Sequence, residues 1–470
     1  MGTYVYDEFR LTLTPRADGG YDALGRGPDG AEHRGTFRLP FDGEELERRV
    51  LGVAGNATRA VRTATRDVGA GATPAMDAEE LGGALAACLL AGAIADGYDA
   101  SRRAAVTAGR GLRLTLSLGA SPALLSVPWE LLYRAPTFLA NQRQTPVVRH
   151  LDVPGLPAPP VVDGTVRILG VVANPPDTPP LDVAAERRRV EQAVAAVVAA
   201  GRVTLDWLEP ATPRRLREVL RDGSYHVLHY VGHGDFTPAG EGVLYLETGA
   251  AAAAHGHSEL DSAELASLLA DQESLRLVVL NACDGARTSL TDPFAGVATT
   301  LVQLGVPAVV AMQFAISDAA AILFAEELYT NLIGRQSSVD AAVSEARKAI
   351  YIEQGTVEWA TPVLFMGDTA VELWRWTPVP DAPDAVRPPP PPAEPAPARP
   401  RQRKRSLVGL VVGVALLVAA AVVWAALRPD DEPDASAPGA TVAAGAPATT
   451  VTAAAGSPTG SPAAAAPPSG

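Results

Sequence analysis

The sequence is poor in cysteine and in lysine, and both shortages exclude classes of protein. Of its 470 residues only Cys88 and Cys283 are cysteines, so a disulfide framework is excluded and a reducing compartment fits. Lysine occurs only at Lys348 and Lys404, and the formal net charge is −14. This acidic balance argues against a nucleic-acid binder, which would present a basic face.

Several short signals are also missing. The first ten residues contain no apolar segment and no cleavage site, so we expect no signal peptide. Neither a GxxxxGKS/T phosphate loop nor a strand–GxGxxG–helix unit is present, which argues against a nucleotide-driven machine. We therefore expect no cofactor.

The composition predicts a folded body followed by linker. Hydrophobic residues make up 47% of the chain, enough for a core, whereas 43 Gly and 41 Pro are too many for one compact body. The composition shifts divide the chain into a strand-rich and helical region at 1–109, a larger domain at 110–376, a Pro-rich and basic linker at 377–405, a transmembrane helix at 406–427 and a disordered Ala/Pro/Ser/Thr tail at 428–470.

The predicted membrane segment is the run of 21 uncharged residues from Leu407 to Leu427. It is long enough to cross a hydrocarbon core of about 30 Å as a helix, although a buried core helix is the alternative. Basic residues precede it and acidic residues follow it, which predicts a cytoplasmic folded domain and an external tail. Gly409 and Gly413 form a GxxxG pair that favours a homodimer, unless they only reflect how common small residues are here.

The hydrophobic pattern predicts an α/β fold. Short strands with turns are expected over residues 3–40, and one helix over 77–108 with Cys88 in its core face. From about residue 110 apolar strands alternate with helices. This alternation is typical of a mostly parallel sheet covered by helices on both faces.

Two of the predicted strands end in chemically reactive residues. His233 follows one strand between Gly232 and Gly234, and Cys283 follows another. Because sites form at the carboxyl ends of strands in open α/β sheets, neighbouring strands would bring thiol and imidazole together. Such a pair supports acyl transfer, with the thiolate attacking and the imidazole protonating the leaving amine. The amides of Gly234 and Cys283 are the candidate oxyanion donors.

Less specific interpretations of these residues remain open. His233 can be a satisfied core histidine, and Cys283 can be an inert buried thiol. A zinc site is conceivable, but two of the candidate ligands fall on opposite faces of one strand and two lie in an Ala/Gly loop. The histidines in question are His226, His229, His233, His255 and His257. We expect no metal.

The motifs and their order resemble the CHAT domain, a family of caspase-like cysteine peptidases related to separase and the metacaspases. The resemblance covers roughly residues 110–370 and includes the His-Gly-Asp after one strand and the Asn-Ala-Cys-Asp-Gly after the next. Its further elements are Val127-Pro-Trp-Glu-Leu-Leu-Tyr133, Phe294 to Met312 and Asp318 to Leu332. The resemblance implies a caspase-like fold and a His233–Cys283 dyad that cleaves a protein or peptide substrate.

The substrate pocket departs from the metacaspase pattern. Metacaspases carry an Asp two residues before the cysteine, where this chain has Asn281. Asp235, Asp284 and Asp318 are alternative pocket carboxylates, although Asp318 equally suits a helix N-terminus. We expect Trp129 and Glu130 to be structural.

Two functions are compatible with these observations. The first is a membrane-anchored cytoplasmic cysteine endopeptidase, for which the resemblance suggests a role as a bacterial defence or signalling effector. The second is a catalytically inactive scaffold of the same fold that binds a protein partner at the membrane.

Overall fold

The structure, a computed structural model, describes residues 4–46, 48–50, 78–151, 161–236, 242–248, 256–282, 293–314, 316–367 and 373–375. All of them belong to the first of the two units into which the chain divides, Met1–Ala382. Several predicted features lie outside the described residues. They are Cys283, Asp284, His255, the linker at 377–405, the membrane segment at 407–427 with Gly409 and Gly413, and the tail at 428–470.

An eleven-stranded, mostly parallel sheet forms the centre of the fold. The strands of the described residues are β1 Tyr6–Pro15, β2 Tyr21–Arg26, β3 Glu32–Phe37, β4 Gly111–Ser117, β5 Tyr133–Arg134, β6 Thr137–Phe138, β7 Val147–His150, β8 Val162–Asp163, β9 Val166–Val172, β10 Val203–Leu208, β11 Val227–Gly232, β12 Gly234–Phe236, β13 Gly242–Glu247, β14 His257–Asp261, β15 Leu277–Ala282, β16 Ala308–Met312, β17 Pro362–Met366 and β18 Trp374–Arg375. The sheet has the order β10-β9-β11-β15-β16-β17-β7-β4-β1-β2-β3.

Helices cover both faces of this sheet, as the sequence predicts. From residue 78 onward the α-helices are α1 Ala78–Leu89, α2 Gly92–Thr107, α3 Val183–Ala199, α4 Pro213–Asp222, α5 Ser262–Leu269, α6 Pro293–Gln303, α7 Asp318–Tyr329 and α8 Val339–Glu353. Alternate residues of a strand serve opposite faces. Val279 of β15 shares a core with Phe324 of α7, whereas Leu280 shares the other core with Leu301 of α6.

Local signals predict several boundaries correctly. The capping box at the start of α5 is present, with Glu264 N donating to Asp261 Oδ1 at 2.7 Å and Asp261 N donating to Glu264 Oε2 at 3.2 Å. Thr212 caps α4, and Pro213 occupies the first helical position. These interactions involve neighbours in sequence, so they are visible before the fold is known.

The helical prediction over 77–108 holds, but the structure has two helices there instead of one. The chain forms α1 and α2, which are bent by 103° relative to each other. Gly92 starts the second helix with φ +51°, a conformation that glycine adopts without strain. Among the described residues no single helix has both the length and the apolar character needed to cross a membrane. Taken together, this bent pair meets the same criteria of length and hydropathy.

Cys88 lies on α1 and packs against the main core, half-buried. Its thiol donates to the Leu85 carbonyl oxygen at 3.1 Å. Burial raises the pKa of this thiol to about 11. Cys88 is therefore a structural thiol with little thiolate at neutral pH.

A second, three-stranded sheet lies within the connection between β11 and β15. Its order is β12-β13-β14, and all of its pairs are antiparallel. Gly234 pairs with Leu244, and Glu247 pairs with His257. This small sheet begins at the residue after His233, so it lies next to the strand end on which the chemical prediction depends.

The Pro-Trp-Glu segment has a structural role. Glu130 is fully buried and accepts hydrogen bonds from Arg149 of β7 at 2.5 Å and from Gln313 at 2.9 Å. Trp129 Nε1 donates to the Leu124 carbonyl oxygen at 2.9 Å. The segment thereby joins β7 to the end of β16.

Candidate functional site

The two strands with reactive ends are neighbours in the sheet. β11 and β15 pair in parallel, and the last residue of each, Gly232 and Ala282, are partners in the register. His233 follows Gly232 directly, and Cys283 follows Ala282 in the sequence. Because paired strands lie about 4.8 Å apart, this register brings the two strand ends to one level of the sheet edge.

The backbone of His233 is held from two sides. Its carbonyl oxygen accepts a hydrogen bond from the Tyr230 hydroxyl at 2.7 Å and another from Tyr245 N at 3.0 Å. The same hydroxyl lies 2.6 Å from the Tyr245 carbonyl oxygen. A Cβ at Gly232 would overlap this hydroxyl group, so the glycine before His233 permits the close approach of Tyr230.

The imidazole of His233 is oriented by a backbone carbonyl. The residue is 6% exposed, and Nε2 lies 2.8 Å from the carbonyl oxygen of Pro179. A carbonyl oxygen only accepts hydrogen bonds, so Nε2 must carry the proton. In the neutral ring Nδ1 is then the basic nitrogen. Sequence reasoning did not find Pro179, because 54 residues separate it from His233.

Pro179 belongs to the 173–182 loop, which connects β9 to α3. Ala173 N donates to Val231 O of β11 at 2.9 Å, which fixes the start of the loop. At its end Asp182 caps α3, and its amide donates to Asp318 Oδ2 at 3.4 Å. Asp318 is the first residue of α7, and it also contacts the loop that carries Pro179. It therefore remains a candidate pocket residue although it begins a helix.

The other described pocket candidates lie in the small sheet. Asp235 is exposed in β12, and its Oδ2 accepts a hydrogen bond from the Tyr245 hydroxyl at 3.3 Å. Gly234 is buried at the start of the same strand. Tyr245 therefore contacts both the backbone of His233 and the side chain of Asp235.

Asn281 lies in a buried polar cluster and is only 1% exposed. Its Nδ2 donates to Glu186 Oε1 of α3 at 2.5 Å and to the Ala321 carbonyl oxygen of α7 at 3.3 Å. His229 Nε2 lies 3.1 Å from the same carboxylate oxygen. The role of Asn281 in reading a substrate stays a prediction.

Sequence reasoning also missed Glu186. The residue occupies the apolar stripe of α3, between the buried Val183 and Val190. A single carboxylate on such a stripe signals a buried polar partner, because an unpaired buried charge is costly. The identity of the partners was not readable, since His229 and Asn281 lie far away in the sequence.

Two other histidines considered as zinc ligands, His226 and His257, have separate partners. Arg167 N donates to His226 Nδ1 at 2.9 Å, and His257 Nδ1 lies 2.7 Å from Asp177 Oδ2. Within the described ranges, no three side chains of His, Cys, Asp or Glu are grouped so as to hold a metal ion.

Comparison with known proteins adds one family and one set of structures. A family model described as CHAT domain matches residues 78–384, which is more than half of the chain. A search of curated proteins finds no match. Two solved structures of the separase–securin complex of Saccharomyces cerevisiae are similar, at 13% and 12% identity and a TM-score of 0.40 each. The similarity covers 77% of this chain but only 30% of each matched chain.

Proposed function

This chain belongs to the CHAT domain family of caspase-like proteases, and on that premise we propose that it is a cysteine endopeptidase. His233 is the proposed general base and acid, and Cys283 the proposed nucleophile. The proposed substrate is a protein or peptide.

The observation that carries this proposal is the register of the two strand ends. Gly232 and Ala282 are paired, and His233 and Cys283 are the residues that follow them. Further support comes from the Pro179 carbonyl, which requires the proton on Nε2 and thereby assigns the basic nitrogen to Nδ1. An oriented base next to a thiol is the arrangement that nucleophilic catalysis needs.

The proposed reaction proceeds by acyl transfer. Nδ1 of His233 accepts the proton of the Cys283 thiol, and the thiolate attacks the carbonyl carbon of the scissile peptide bond. The amides of Gly234 and Cys283 stabilise the oxyanion. The carbon–nitrogen bond then breaks as His233 returns the proton to the leaving amine. Water, deprotonated by His233, hydrolyses the thioester and releases the second product.

The test is labelling with a thiol-directed peptide electrophile. The full chain should react at one thiol, and Cys283→Ala should abolish labelling. Cys88→Ser is the matched control and should label like the wild type, because burial raises the pKa of the Cys88 thiol to about 11. Labelling that persists in Cys283→Ala would contradict the proposal.

The same variants separate the peptidase from a scaffold. If Cys283→Ala and His233→Ala leave the cellular phenotype intact, the inactive scaffold that binds a partner is the better description. Mass-spectrometric profiling of cleaved proteins, wild type against Cys283→Ala, would identify the substrate. It would also give the residue preferred before the cleaved bond, and the same profiling of variants at Asp235, Asn281, Asp284 and Asp318 would show which of them selects it.

We also propose that residues 407–427 anchor the protein in the cell membrane as a single span, with the catalytic domain cytoplasmic and the tail outside. The charge asymmetry around the span supports this orientation. Gly409 and Gly413 are the proposed dimer contact, so replacing both with Ile should weaken self-association in detergent. Unchanged self-association would contradict that contact. A role in bacterial defence or signalling is proposed from the family alone.

A further inference from the structure

The 173–182 loop, which carries the Pro179 carbonyl, is contacted from the small sheet by two neighbouring residues. Glu247 Oε1 accepts a hydrogen bond from Asn174 N at 3.3 Å. His257 Nδ1 lies 2.7 Å from Asp177 Oδ2. Glu247 and His257 are direct partners in the β13–β14 pair, so they project from the same face next to each other.

The contact between His257 and Asp177 is closely fitted. A carboxylate accepts hydrogen bonds, so Nδ1 of His257 donates in this contact. The imidazole stacks on the Tyr245 ring with 4.0 Å between centroids, and Glu259 Oε1 lies 4.0 Å from its Nε2. A Cβ at Gly256 would overlap the Asp177 carboxyl group, so the glycine lets this side chain lie close to the start of β14.

The backbone of the 173–182 loop is stiff, so a displacement of one residue also displaces its neighbours. Prolines occupy positions 175, 176, 179 and 180, and their rings fix the backbone φ angles on both sides of Asp177 and Thr178. The Thr178 hydroxyl donates to the Pro175 carbonyl oxygen at 2.7 Å, which closes a turn within the loop. Because only Thr178 separates Asp177 from Pro179, a movement of Asp177 moves the carbonyl that orients His233.

We propose that Asp177 and His257 are positioning residues for the base of the proposed peptidase. Their contact holds the 173–182 loop so that the Pro179 carbonyl remains on Nε2 of His233. This inference rests on the proposed function, since it assigns His233 the role of base. In this proposal both residues act through Pro179.

The experiment measures how fast iodoacetamide alkylates Cys283 in the full chain as a function of pH. A Cys88→Ser background leaves one thiol to follow. A thiol paired with imidazole stays reactive below the ordinary cysteine range near pH 8.5, and His233→Ala should remove that reactivity. Asp177→Ala and His257→Ala should each slow alkylation at pH 6 to 7 by about two- to fivefold, the factor expected for one partly exposed ionic hydrogen bond.

Three comparisons separate positioning from general damage to the fold. The double variant Asp177→Ala/His257→Ala should be no slower than either single variant, because both remove the same contact. Asp177→Asn keeps an acceptor oxygen and should stay nearer the wild-type rate. Glu218→Gln is the matched control: Glu218 is 39% exposed, like Asp177, and bonds Arg214 on the outer side of α4, so its rate should not change.

The outcomes distinguish the two proposals. If His233→Ala moves the pH profile while Asp177→Ala and His257→Ala keep the wild-type profile, the positioning inference is wrong and the dyad stands. If the wild-type thiol already titrates as an ordinary cysteine and His233→Ala changes nothing, the proposed function fails. An Asp177→Ala variant that reacts as fast as Asp177→Asn would contradict the hydrogen-bond argument.

Discussion

At the scale of single residues, the candidate site depends on small groups that orient larger ones. The carbonyl of Pro179 decides which nitrogen of His233 carries the proton. The amide of Asn281 lies two residues before Cys283 and satisfies a buried carboxylate on α3. Each of these contacts joins atoms from different elements. Replacing a donor by an acceptor in one of them should therefore destabilise the packing of those elements.

Asn281→Asp is the sharpest change of this kind. It places a second carboxyl group against Glu186, and two carboxyl groups this close do not both ionise. We expect the free energy of unfolding to fall by about 3 kcal/mol or more at neutral pH. The paired carboxyl has a raised pKa in the folded state, so the lost stability returns as the pH falls through that pKa.

Urea unfolding at pH 7.5 and pH 5 measures this effect. Asn281→Ala is the control, because it removes the donor without adding a charge and should lose a similar amount at both pH values. A deficit of Asn281→Asp that does not shrink in acid would mean that Glu186 does not face residue 281 as described.

At the scale of elements, a histidine flanks each end of strand β11, and the two rings use their nitrogens differently in hydrogen bonds. His233 follows its last residue and donates from Nε2, whereas His226 precedes its first residue and accepts from Arg167 N of β9. A backbone N–H can only donate, so Nδ1 of His226 is unprotonated in the folded chain. Burial, with contributions from Arg276 and Arg167, lowers the pKa of His226.

This state of His226 predicts a dependence of stability on pH. As the pH falls through the ordinary histidine pKa near 6.5, the unfolded chain takes up a proton that the folded chain does not. The wild type should therefore lose more stability between pH 7.5 and 5.5 than His226→Asn, whose side-chain oxygen accepts the same bond at any pH. Urea unfolding midpoints of both proteins at pH 7.5 and 5.5 test this prediction. Identical losses of stability in the wild type and in His226→Asn would contradict an unprotonated Nδ1 on His226.

At the scale of the whole molecule, a buried polar network connects segments that are remote in sequence. Glu130, Arg149 and Gln313 come from three different parts of the chain, and both members of the ion pair are fully buried. Arg149 also donates to the Val127 carbonyl oxygen at 3.1 Å. Removing one partner leaves an uncompensated charge in the core.

Glu130→Ala should lower the free energy of unfolding by about 3–5 kcal/mol, the cost of breaking a buried ion pair. Asp99→Ala is the matched control, because it breaks the pair with Arg134 at a site where both side chains are about one third exposed. That variant should lose less than about 1 kcal/mol. Chemical denaturation compares the two, and equal losses would show that burial does not set the energy of the Glu130 pair.

The sequence by itself determined that strands alternate with helices from about residue 110 and where α5 begins. It also determined that His233 and Cys283 each directly follow a strand. Those features depend on hydrophobic periodicity and on hydrogen bonds between near neighbours, which the order of residues contains. The break between α1 and α2 was missed, because apolar residues continue through it.

The tertiary structure decided which groups meet at the strand ends. The Pro179 carbonyl meets His233, and Glu186 meets Asn281 across 95 residues of sequence. The small sheet that brings His257 to Asp177 lies inside the connection between β11 and β15, and the hydrophobic pattern did not predict it. Such contacts arise only when strand order and register are set by packing of the whole chain, and no local pattern encodes them.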